Sequence, residues 1–258
     1  LAPQDRASVP DWLLIWPHLT SLLSGYLLRL GKLPPPEAQK SWLATACQQA
    51  TERTEARRHL DALEEAAALC DKPAKDALTK KFEGTLPRNP LAWQRDQDER
   101  FLDVVVELAA YKWLRGECPG DTLAFVAGGK ARSPDLQVGS GTNAVGVECK
   151  NVQPSTDARN TLLAGRVVSG DGVVGEPFIA KVRGKIDSAM QQLVGYRHKV
   201  VFLHITLDLG LPTGNAELTI RDVAPTGVKV VVFLNYDWAK PKWEIPPRTG
   251  RTAQAPAL

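Results

Sequence analysis

Two carboxylates and one ammonium fall within a short stretch of this chain: Asp135, Glu148 and Lys150, in residues 133–152, SPDLQVGSGTNAVGVECKNV. Hard divalent cations such as Mg²⁺ take oxygen ligands and keep several waters, so two carboxylates suffice to hold one. A metal held this way delivers a hydroxide-like water and offsets charge on a phosphate under in-line attack. A lysine beside it can orient or deprotonate that water and add positive charge at the transition state. The plain alternative is a solvated ion pair on a surface hairpin, because three residues at this spacing occur by chance in many proteins.

For the chemistry to work, the three side chains must share a face. Alternate residues of a strand do so, which puts Glu148 and Lys150 together on a β-prone run over 144–150. Asp135 opens an earlier run, 134–139, and the glycine-rich 139–143 turns the chain, so a hairpin sets Asp135 beside the other two. A further β-prone run covers 122–127. Ahead of it, 96–115 (DQDERFLDVVVELAAYKWLR) reads as a helix stopped by Gly116. Beyond the hairpin, 151–177 is polar and glycine-rich and too long for a simple turn. The expected order then runs helix 178–197, buried strand 199–208, and two more strands over 216–223 and 228–236. The class is α/β.

The pair Pro134-Asp135 followed by Glu148-Cys149-Lys150 resembles the PD-(D/E)XK nuclease superfamily, over about residues 96–208. The resemblance implies a restriction endonuclease-like core, an α-β-β-β-α-β mixed sheet, preceded here by a helical N-terminal region. It implies a Mg²⁺- or Mn²⁺-dependent nuclease in which Asp135, Glu148 and the carbonyl of Cys149 hold the metal and Lys150 handles the water. Such families place another carboxylate on the preceding helix. Glu107 is chosen for that role, with Asp103 and Glu99 as alternatives on the same helix. Residues 192–196 (QLVGY) are similar to the QhXXY signature of RecB-like nucleases, which implies substrate- or metal-placing roles for Gln192 and Tyr196. Lys181, Arg183 and Lys185 would then meet backbone phosphates, although a solvated helix face explains them equally well. DNA is the implied substrate, with RNA left open, and the implied products carry 5′-phosphate and 3′-hydroxyl ends.

The rest of the chain bounds the picture. Its formal charge of +3 proves no nucleic-acid partner. Cys47, Cys70, Cys118 and Cys149 form no CxxC pair, and the four histidines include no HExxH, so zinc sites are disfavoured and reduced cysteines in a cytoplasmic protein are expected. Residues 12–30 are apolar but interrupted by Pro17 and His18, which favours a buried helix and no membrane span. Residues 170–175 (GDGVVG) match a dinucleotide fingerprint without its βαβ setting and read as a glycine loop. The expected organisation is a helical region over 1–90, a nuclease-like domain over 91–245 and a disordered tail over 246–258. The N-terminal helices would suit a protein partner, which gives a scaffold module or a partner-activated nuclease as the rival reading. A homodimer would suit cutting of both strands.

Overall fold

Pro17 has no N–H to lose in the first turn of a helix, and the leucine-rich segment behind it does form helix, but in two pieces. These are α1 (Pro17–Leu22) and α2 (Ser24–Leu30), with the chain turning at Leu23. The computed structural model describes residues 15–32, 43, 46, 47, 50, 54–86, 96–126, 133–153, 176–206, 213–235 and 237–248. Its contacts divide the chain into two units, 1–127 with 236–240 and 128–235 with 241–258.

The first unit is helical. After α1 and α2 come α3 (Thr54–Leu69), α4 (Lys72–Gly84) and α5 (Asp96–Glu117), then the short strand β1 (Leu123–Phe125). Asp71 caps α4 by accepting from the Ala74 N–H at 2.9 Å, and a proline follows it in the first turn. The short helices cannot persist alone, and other helices satisfy their ends. Glu64 on α3 accepts from the His18 and Leu19 N–H groups at the start of α1. Arg29 on α2 donates to the carbonyls of Glu83 and Leu86 at the end of α4. Tyr26, Phe82 and Phe101 then pack as tilted aromatics, with centroids 4.8 and 5.1 Å from Phe101. No described helix is long and apolar enough to cross a membrane.

The second unit is built on a mixed sheet. Its strands are β2 (Leu136–Val138), β3 (Val145–Val152), β4 (His198–Ile205), β5 (Val228–Leu234) and β6 (Trp243–Ile245). They lie side by side in that order, with β2–β3 and β5–β6 antiparallel and β3–β4–β5 parallel. Parallel neighbours need a crossover, usually a helix, and α6 (Glu176–Gln192) and α7 (Thr213–Val223) supply the two. Val182, Ile186, Ala189 and Leu193 from the first helical segment, with Ala216 and Ile220 from α7, cover one sheet face of Val152, Val201, Leu203, Val230 and Val232.

Three sequence expectations change. Residues 216–223 are helix, not strand: Ala216 and Ile220 recur at helical spacing on the sheet, and a strand there would leave β4 and β5 without a crossover. Helix α6 ends at Gln192, short of the expected 197, and Tyr196 lies on the turn that feeds β4. The tail begins in order, since Gly227 donates to the Arg248 carbonyl at 3.1 Å. Residues 249–258 and the glycine loop 170–175 lie outside the described residues. All four cysteines are thiols outside any disulfide.

Candidate active site

The hairpin forms where the sequence turns it. Gly139 and Gly141 adopt φ of 71° and 69°, values that L side chains rarely take, and a 3₁₀ turn over Gly141–Asn143 returns the chain. Leu136 pairs with Val147 and Gln137 with Gly146. Asp135, one residue before Leu136, therefore stands across from Glu148, and its N–H donates to the Val147 carbonyl at 3.0 Å. The pleat puts Gly146, Glu148, Lys150 and Val152 on one face of β3, the face covered by α6.

The three site residues meet as expected. Asp135 Oδ2 accepts from the Cys149 N–H at 2.9 Å, which fixes the carboxylate against the neighbouring strand. Lys150 Nζ donates to Glu148 Oε1 at 2.5 Å. Glu148 is 1% exposed, and its other oxygen, Oε2, is buried without a hydrogen-bond partner among the described residues. A buried carboxylate oxygen without a donor is costly. Burial first, and then the Asp135 charge, push the Glu148 carboxyl up to about 7, against the opposing pull of Lys150.

The unpaired Oε2 is the feature that fits a cation. Among the described residues no group of three or more His, Cys, Asp or Glu side chains is gathered as a metal cluster. A divalent ion here would rest on Asp135, Glu148, the Cys149 carbonyl and water, a set suited to Mg²⁺ or Mn²⁺.

The other expected residues fall in several places. Glu107 belongs to the first unit, where it is buried on α5 and ion-paired to Lys81 of α4. Tyr196 packs its ring on Gly146 and donates its hydroxyl to Gln137 Oε1 at 2.7 Å. A Cβ on Gly146 would stand 2.5 Å from that ring, so only glycine fits there. Gln192 is half-buried at the end of α6. Lys181 donates to the Gln153 carbonyl at the end of β3, Arg183 is exposed, and Lys185 is half-buried. Lys130, Arg132, Asp157 and Arg159 lie outside the described residues.

Sequence reading missed two features. Gln137 follows Asp135 by two residues on the same face, a position that strand periodicity alone makes a neighbour of the site. On the opposite face, buried Asn151 accepts from Gln153 Nε2 at 2.7 Å and meets His204 Nδ1 at 2.8 Å. Burial lowers the His204 pKa to about 3, so the ring is neutral.

Comparison of the chain with family models, with curated proteins and with solved structures gives no match.

Proposed function

We propose that this chain is a metal-dependent nuclease that hydrolyses phosphodiester bonds in DNA, with Asp135, Glu148 and Lys150 as its catalytic centre. The observation that carries this reading is the juxtaposition of two carboxylates and an ammonium on one sheet face, with Glu148 Oε2 buried and without a hydrogen-bond partner among the described residues. Mg²⁺ or Mn²⁺, when bound, would supply an activated water and offset charge on the attacked phosphate.

The chain's own groups have distinct tasks in this scheme. Asp135, held by the Cys149 N–H, presents a fixed carboxylate. Glu148 supplies the second metal-binding carboxylate through the oxygen that has no protein donor. Lys150, whose ammonium rests on Glu148, would orient the attacking water and add positive charge beside the attacked phosphate. Lys181, Arg183 and Lys185 on α6 add positive charge for the phosphate backbone. Glu107 would have to exchange Lys81 for a metal or a water before it could take part. The resemblance of residues 96–208 to PD-(D/E)XK nucleases supports this reading.

The test is incubation of the purified chain with supercoiled plasmid, single-stranded DNA and RNA, in EDTA, Mg²⁺ or Mn²⁺, beside Lys150→Ala. Metal-dependent cleavage lost in the variant is expected. Absence of cleavage in every metal would overturn the reading and turn attention to a binding role for the helical unit.

A further inference from the structure

On the sheet face away from the carboxylates, the strands carry buried apolar residues, Val147, Phe202, Val231 and Phe233. Parallel strands buried on both faces normally keep to such residues. The C-terminal ends of β3 and β4 break the pattern. Asn151 pairs with His204 in the register, and Thr206 continues β4 beyond it, its N–H donating to the Val152 carbonyl at 3.1 Å. The pleat therefore gathers four polar side chains, Asn151, Gln153, His204 and Thr206, on one face.

Part of this group is satisfied internally. Asn151 Oδ1 accepts from Gln153 Nε2 at 2.7 Å, so the neutral His204 ring 2.8 Å away meets it with an Nδ1–H donor. With its oxygen taken twice, Asn151 offers only Nδ2 to anything else. Nδ2 has no hydrogen-bond partner among the described residues, although Asn151 is only 4% exposed. Thr206 Oγ1 is buried in the same condition. Native proteins rarely leave such groups bare, because the lost hydration is not regained.

The two atoms belong to diagonal neighbours, one strand spacing and two residues apart, or about 8 Å between Cα atoms. Short side chains at that spacing suit two hydrogen bonds through one small molecule between them. The chemistry selects which molecule. It must accept from an amide N–H, pair with a hydroxyl, and carry no charge. A cation finds no carboxylate among the four side chains, and an anion would be buried with no counter-charge among them. Water meets every condition.

We propose that one internal water molecule bridges Asn151 Nδ2 and Thr206 Oγ1 and completes the link between the C-terminal ends of β3 and β4. The site lies on the other face of the sheet from Asp135, Glu148 and Lys150, and does not rest on the nuclease reading.

The experiment is a crystal structure of the full chain at a resolution that shows ordered water, with urea unfolding and water-oxygen relaxation dispersion of the wild type, Thr206→Val and Thr206→Ser. A water within hydrogen-bond distance of both atoms is expected. Thr206→Val keeps the shape and removes one of the water's partners, so the folding equilibrium constant should fall roughly 5-fold. The relaxation measurement should count one long-lived water fewer in that variant, whereas Thr206→Ser keeps the hydroxyl and retains the water. A dry site, or another group of the chain bonded directly to Asn151 Nδ2, overturns the proposal. So does a Thr206→Val protein as stable as the wild type or more so, because a hydroxyl with no partner sheds a penalty when it becomes a methyl.

Discussion

Each unit of the molecule buries a glutamate against a lysine. In the first, Glu107 meets Lys81, whose ammonium also lies 5.5 Å above the Phe125 ring. In the second, Glu148 meets Lys150, and Asp135 stands beside them. The residue types are the same, but the electrostatics differ. Lys81 brings its charge from another helix and an aromatic face supports it, so that pair joins α4 to α5. Lys150 lies two residues from its partner on the same strand and ties no elements together. Next to it a second carboxylate and an orphaned oxygen leave Glu148 with more negative charge than one lysine offsets. A buried ion pair does not mark a candidate site by itself; surplus charge in a buried place makes it one.

Substitutions at the two pairs should separate these roles. The largest effect is expected at Lys150→Ala, with cleavage falling roughly 100- to 10,000-fold in protein that is still folded, because the stranded Glu148 carboxyl can take up a proton. Cleavage surviving at wild-type rate would remove Lys150 from the chemistry. Lys81→Ala should do the reverse: it strands Glu107, lowers stability by about 2–4 kcal/mol in urea unfolding, and reduces activity only as far as folding is lost. A large rate loss in a fully folded Glu107→Gln protein would instead place Glu107 in the reaction.

Acidity sharpens the contrast. The Glu148 carboxyl is raised in the fold, so its neutral form is favoured. Its contribution to stability is fully present below about 4.5 and is lost as pH rises through about 7. His204 works in the other direction. Its lowered pKa stabilises the fold above about 6.5, and that contribution falls away as pH drops toward 3. Glu148→Gln should therefore flatten the decline between pH 4.5 and 7, a change of at most about 3 kcal/mol in urea-derived stability. An unchanged slope would mean that another group titrates there. The smallest effect is expected at Tyr196→Phe, which removes one hydrogen bond worth about 1 kcal/mol.

Much of the site was legible because its geometry is local. Period-two alternation puts Glu148 and Lys150 on one face, and a glycine turn brings Asp135 across from them. What escaped was non-local or ambiguous. Residues 216–223 carry enough β-branched and apolar character to read as strand, and only the parallel pairing of β4 and β5 shows that a helix must connect them. Gly146 signals close approach inside a strand, but its visitor, Tyr196, arrives from a turn fifty residues along the chain. The charge on Glu148 follows from burial by neighbouring elements, which no spacing rule reports.

The order of the strands also bears on how the site comes into being. The β2–β3 hairpin needs only its own turn, and hairpins close in about 1–10 μs. Its other neighbour starts at His198, which pairs with Val145 from more than fifty residues along the chain, and pairing of this kind is slow. Asp135, Glu148 and Lys150 therefore gather while still in water, where Glu148 is ionised at neutral pH. Desolvation comes later, when β4 and α6 pack onto β3. At pH near 7 that docking step draws a proton from solution, so a pH-indicator dye followed during refolding should register the burial of the carboxylate as a kinetic phase behind hairpin formation.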